Sequence, residues 1–221
     1  MIRFEPGAQK LSATLVFDPI DALAQKRVGR PVRAMGDIRV YAVSHDSAPG
    51  GPTRFPPGLR LETVRTLSGY LAFFNRLRTE EGTLWYGGLP AGEYTVEARG
   101  ALYQPLPLKV TLPVADKRVA EALALQPGPQ YILPTGVTAL RGSLYRVAGD
   151  RKSEPIEGAE VTADNFTVVR ARTTRKGSWV LWFEPTGEEP PVVTLTATLP
   201  DGSTRMRQVA LPVGKDTTVD L

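Results

Sequence analysis

The chain has 221 residues, a formal net charge of +4 and 42% hydrophobic content, room for one large domain or two ordinary ones. Twenty prolines and 21 glycines are too many for a helical protein, and they fall singly between apolar runs, so they punctuate strands. With no cysteine there is no disulfide framework, thiolate metal site or thiol nucleophile. No apolar run reaches the length of a membrane span or a signal-peptide core, so the default expectation is a cytoplasmic protein without membrane insertion, with incorporation into an exported particle left open.

A first domain is expected over residues 1–126. Leu11, Ala13, Leu15 and Phe17 mark one alternating strand face, and Ile38, Val40 and Ala42 mark another. Further strand-like runs cover 61–67, 70–75 and 84–86. Leu89-Pro90-Ala91-Gly92-Glu93-Tyr94 is a tight turn feeding the next strand. Residues 46–58, dense in Pro and Gly, are expected as an exposed loop without regular structure. Residues 116–125 suit a strand or a short helix. The stretch 127–136 holds Pro127, Pro129 and Pro134, which favour an extended, semi-rigid linker.

A second domain is expected over 137–221, with strands near 137–146, 158–164, 167–174, 177–184, 192–199, 204–211 and 216–221. Val193, Leu195, Ala197 and Leu199 alternate with Thr194, Thr196 and Thr198, and Pro200-Asp201-Gly202-Ser203 turns the chain back. Trp179 and Trp182 stand three apart on one strand, so they face opposite sides. The two halves share a pattern. Ser68-Gly69-Tyr70-Leu71-Ala72-Phe73-Phe74 is echoed by 176–183, and Lys109-Val110-Thr111-Leu112-Pro113-Val114 by Gln208-Val209-Ala210-Leu211-Pro212-Val213. The expected fold is therefore all-β: two tandem antiparallel β-sandwiches, transthyretin-like or immunoglobulin-like, joined by a Pro-rich linker.

Arg141-Gly142-Ser143-Leu144, Pro155-Ile156-Glu157-Gly158-Ala159-Glu160-Val161, Thr173-Thr174-Arg175-Lys176-Gly177 and the aromatic strand 179–183 together resemble the carboxypeptidase regulatory-like domains, which have a transthyretin (prealbumin)-like sandwich. The family usually carries Asp near Thr174 or Arg175, which this turn lacks. The resemblance covers about 85 residues and extends to 11–125 through the Leu89–Tyr94 turn and the internal repeat. It implies a fold and says almost nothing of function. The hydroxyisourate hydrolases of transthyretin-like fold use several histidines, whereas His45 is the one histidine here, so that activity is not expected.

Ser44-His45-Asp46 has the letters of a catalytic triad, but neighbours on an extended segment point in opposite directions, and His45 is expected as a solvated loop residue. Neither a His/Cys cluster nor a calcium loop nor a Gly-rich phosphate loop is present, so no cofactor, metal or catalytic residue is assigned. Asp18, Asp21, Glu188 and Glu189 read as turn and surface residues. Residues 1–127 carry 16 Lys/Arg against 12 Asp/Glu, while 128–221 carry 11 of each. The excess is scattered arginine without a dense run, which argues against nucleic acid. The candidate interface is Arg27, Arg30, Arg33, Arg54, Phe55, Trp85, Tyr86 and Trp182. The expected function is a non-enzymatic structural or adaptor subunit that binds protein partners, its own copies included, in a larger assembly such as a phage-tail-like or surface particle. The alternative is a carbohydrate-binding module stacking sugars on exposed aromatics.

Overall fold

Period-2 alternation becomes strand almost throughout. The structure, a computed structural model, describes residues 13–85, 88–114, 120–148, 151–164, 170–183, 192–219 and 221. Strand makes up 54% of it and helix 4%, so the all-β class holds. The chain divides into two compact units, Met1–Gly100 with Leu106–Leu125, and Ala101–Pro105 with Gln126–Leu221.

The first unit contains β1 (Leu15–Asp21), α1 (Ala22–Val28), β2 (Ile38–His45), β3 (Thr53–Arg54), β4 (Arg60–Arg65), β5 (Leu71–Arg78), β6 (Leu84–Trp85), β7 (Gly92–Gly100), β8 (Tyr103–Leu112, entering from the other unit) and β9 (Glu121–Leu125). All belong to one connected sheet of order β8-β7-β2-β4-β5-β1-β9, with β3 on β2 and β6 on β5. Its seam is thin: β2 meets β4 through the single register pair Tyr41↔Arg60. Leu15 and Phe17, Val40 and Ala42, Leu71 and Phe73, Tyr94, Val96 and Ala98, and Leu123 and Leu125 are the buried alternate residues of five strands. Of the segment 116–125, Glu121–Leu125 is strand, paired in parallel with β1 from Phe17↔Glu121 to Asp21↔Leu125.

Two features depart from the sequence expectation. Helix α1 replaces an anticipated turn because Asp21, buried rather than on the surface, accepts a hydrogen bond from the Ala24 N–H at 2.8 Å. Good helix formers follow, and Gly29 closes the end with its N–H on the Gln25 carbonyl. The loop 46–58 is also not wholly irregular, since β3 lies within it and pairs Arg54 with Ser44 and Thr53 with His45.

The Leu89–Tyr94 turn forms a tyrosine corner: the fully buried Tyr94 donates its hydroxyl to the Pro90 carbonyl at 2.7 Å. Tyr94→Phe keeps the ring and removes only that bond. It should lower the stability of the first unit by about 1 kcal/mol, as measured by urea unfolding.

The second unit contains β10 (Thr138–Ser143), β11 (Tyr145–Ala148), β12 (Arg151–Pro155), β13 (Glu160–Ala163), β14 (Arg170–Arg172), β15 (Ser178–Phe183), β16 (Val192–Thr198), β17 (Thr204–Ala210) and β18 (Asp216–Thr218). They form sheets β15-β10-β18 and β14-β13-β16-β17 and a separate hairpin, β11-β12. One core takes Leu140, Trp179, Leu181 and Phe183 from the first sheet and Val161, Ala163, Val193, Leu195 and Ala197 from the second. Within this unit the Pro-rich stretch is anchored on residues 102–104. Gly128 donates to the Leu102 carbonyl and Gln104 to the Gln126 carbonyl, while Tyr103 meets Tyr131 edge-on at 5.7 Å.

Both units place their first strand between an antiparallel neighbour and a parallel final strand: β1 between β5 and β9, and β10 between β15 and β18. Both antiparallel neighbours are entered by the same turn, Thr66–Tyr70 in one and Thr174–Ser178 in the other, each with two backbone hydrogen bonds and a glycine in fourth place.

Candidate interaction surface

At one end of the first unit's sheet the C-terminal half of β1, the segment after α1 and the β4–β5 turn come together. Asp21 donates to the Val32 carbonyl, Ala34 to the Pro19 carbonyl, and the Arg65 guanidinium to the Gly36 carbonyl at 3.0 Å. Of the three arginines expected here, Arg33 is committed to structure. It pairs with Asp18 and lies over the Tyr70 ring, 4.0 Å from its centroid. Arg27 and Arg30 are exposed, at the end of α1 and just beyond it, as is Arg65.

Apolar side chains share this end. Val28 is 56% exposed, Met35 61%, Val64 55%, and Leu67, at the tip of its turn, is fully exposed. Sequence reading takes 61–67 as strand and so misses the tip. The signal lies in Thr66, Ser68 and Gly69, which are turn residues around a lone leucine. Cations and apolar tips on one end make a surface suited to protein contact, where Arg and Met are enriched.

Arg54 and Phe55 are not part of it. They lie beside the far end of β2, whose eight residues span about 25 Å. Phe55 is half-buried and stacks with Tyr94 at 6.2 Å. On the same Tyr94 ring lies His45, centroids 4.4 Å apart and planes 13° from parallel. His45 thus ends a strand and packs on a buried ring; it is not a solvated loop residue.

The alternation argued from sequence governs this corner. Ser44, itself buried, bonds to Asp46 at 2.5 Å, skipping His45, whereas His45 Nε2 lies 3.4 Å from Ser47 Oγ on the other face. Thr95 donates to the second Asp46 oxygen at 2.7 Å. The hydroxyls of Ser44 and Thr95 hold the Asp46 carboxyl below the usual carboxylate range. Ser47 accepts from the Glu93 N–H at 2.7 Å. These bonds stitch the ends of β2 and β7 together and leave Ser44 and Asp46 on the face opposite His45, without the proton relay a triad needs.

In the second unit Trp179 is fully buried and Trp182 half-buried, with its indole N–H donated to Gln126 Oε1 at 3.1 Å. Trp85 pairs opposite Leu77 in β6, but its side chain, together with Tyr86, Glu188 and Glu189, lies outside the described residues. Among the described residues no aromatic ring is exposed, no cluster of three or more metal-ligating side chains occurs, and no helix is long and apolar enough to cross a membrane. The described candidate residues thus separate into an exposed basic end (Arg27 and Arg30, with Arg33 committed to structure), an exposed Arg54 beside the packed Phe55, and a hydrogen-bonded Trp182. No protein-family model matches the sequence, and no curated protein is similar to it.

Proposed function

We propose that the protein is a non-enzymatic structural or adaptor subunit, made of two tandem β-sandwiches of the carboxypeptidase regulatory-like, transthyretin-like kind, that docks an acidic protein partner in a larger assembly. The tandem reading is supported by the shared three-strand arrangement and the shared turn in the two units. In the first unit, bending of the connected sheet at its single-pair seam would supply the two layers.

The observation that carries the docking reading is the exposure of Arg27 and Arg30, and of Val28, Met35 and Leu67, in the segments that meet at one end of the first unit's sheet. By contrast, Ser44, His45 and Asp46, the residues with catalytic potential in the sequence, are engaged as braces. The sugar-binding alternative asks for exposed coplanar rings, and the described surface offers none.

The test is affinity capture from the native host with Arg27→Glu/Arg30→Glu and, separately, Leu67→Glu. Each variant should weaken capture of an acidic partner by about tenfold or more, a loss of roughly 1.4 kcal/mol, with unchanged circular dichroism. Capture unaffected by all three substitutions would refute this surface.

A further inference from the structure

A strand at the edge of a sheet turns unpaired N–H and C=O groups outward, an invitation to another chain that proteins blunt with charge, brevity or a cover. The two larger sheets of the second unit end in β14 and β17, and in β15 and β18. β14 carries Arg170 and Arg172, β17 carries Arg205 and Arg207, and β18 has only three residues. β15 has none of these safeguards. Its six residues, Ser-Trp-Val-Leu-Trp-Phe, hold no charge, proline or glycine, the composition of a segment that stacks with its own kind.

Its outward groups follow from its neighbours. Arg141 accepts from the Val219 N–H at 2.7 Å, so on β10 it faces β18, and Val180, its register partner, turns its carbonyl to the open edge. Just past β14, Thr173 donates to the Ala159 carbonyl at 2.9 Å, so Arg172 turns its N–H away from β13. Gln104 takes both. Its side-chain nitrogen donates to the Val180 carbonyl at 3.2 Å and to the Pro127 carbonyl at 3.0 Å, while its side-chain oxygen accepts from the Arg172 N–H at 3.2 Å. One side-chain amide thus stands in for the peptide group that an added strand would bring, and it serves an edge of each sheet. The cover continues over the adjoining face. Val180 and Ala139 point away from the core that takes Leu181 and Leu140, yet both are buried. On that same face Trp182 donates to Gln126 and Arg141 to the Pro129 carbonyl.

We propose that the segment Ala101–Pro105, through Gln104, is a built-in plug: an autoinhibitory contact that keeps the β15 edge from pairing with the same strand of a second copy. The strand in this unit that most needs covering is the one whose outward carbonyl the chain itself occupies. The plug lies within the second unit and stands independently of the Arg27 and Arg30 surface.

The test begins with the unaltered chain. Arg170 and Arg172 turn their N–H groups the same way from β14, but Gln104 reaches Arg172, so hydrogen exchange relative to the intrinsic rate should be slower at Arg172 than at Arg170 by about tenfold or more. Full-length Gln104→Met and Gln104→Glu then keep the side-chain length. The first makes none of these bonds, and the second turns an oxygen on the Val180 and Pro127 carbonyls. Gln104→Met should speed exchange at Arg172 by about tenfold or more. In sedimentation velocity both variants should self-associate at concentrations about tenfold or more below the parent, with the Leu181 amide still protected. Arg172 exchanging no slower than Arg170 in the parent, or variants that associate no more readily than the parent, would overturn the proposal. So would association that comes only with loss of protection at Leu181, which is unfolding rather than an opened edge.

Discussion

Gly142→Ala should destabilise the second unit by about 3 kcal/mol or more, whereas Gly158→Ala, sixteen residues on in the same motif region, should cost only about 1 kcal/mol. The two glycines exist for different reasons. Gly142 has ordinary strand geometry on β10, but a Cβ there would run into the Val219 carbonyl oxygen and come within 2.9 Å of Trp179 Cζ2. Neither neighbour can yield. The Val219 N–H is bonded to the Arg141 carbonyl at 2.7 Å, which ties the end of the chain to β10, and Trp179 is fully buried. A methyl group must therefore displace either the last strand or the largest ring of the core. Gly158 has φ +78° in open surroundings, and its nearest neighbour is the Arg172 guanidinium at 3.6 Å, so alanine meets only the left-handed backbone penalty. Urea unfolding followed by tryptophan fluorescence distinguishes the two. Equal losses would show that the close approach to Val219 does not govern this strand.

That contrast shows how far the sequence could be read. Alternation alone places β16 and β17 and the turn Pro200-Asp201-Gly202-Ser203, closed by Leu199 and Gly202 as its residue types require. Every one of those signals is local. Helix α1 escapes because seven residues are too short for a 3.6 period to show; only Asp21 and Gly29, its caps, betray it. The joining of β2 to β4 through one pair leaves no mark in composition at all.

The candidate surface divides along the same line. Arginines can be counted in a sequence, but whether one is a brace or a contact depends on partners far along the chain. Arg33 is claimed by Asp18 and by Tyr70, 37 residues away. Phe55, in a stretch that reads as exposed loop, is claimed by Tyr94. His45 is claimed by the same ring, which the corner turn has already fixed. What remains exposed, Arg27 and Arg30 with Leu67 at one end and Arg54 beside the other end of β2, emerges only after the structural claims are met.

Trp179→Ala should cost the second unit about 3–5 kcal/mol, the usual toll for emptying a large aromatic site in a core. Trp179→Phe should cost much less, about 1–2 kcal/mol, for a reason specific to this ring. Among the described residues the buried Trp179 indole N–H has no hydrogen-bond partner, a penalty of order 1–3 kcal/mol that phenylalanine removes while keeping much of the packing. Trp182 is the control, because its N–H is bonded to Gln126; Trp182→Phe loses a made bond and gains no such relief. Trp179→Phe also bears on Gly142, since the methyl of Gly142→Ala would press on the indole as well as on the Val219 carbonyl. The double substitution Gly142→Ala/Trp179→Phe should therefore be less damaging than the sum of the single ones by roughly 0.5–1 kcal/mol, and still well below the parent, because the carbonyl remains in place. Strict additivity would mean that the ring and the methyl do not compete for space, and that the clash with Val219 alone sets the requirement for glycine.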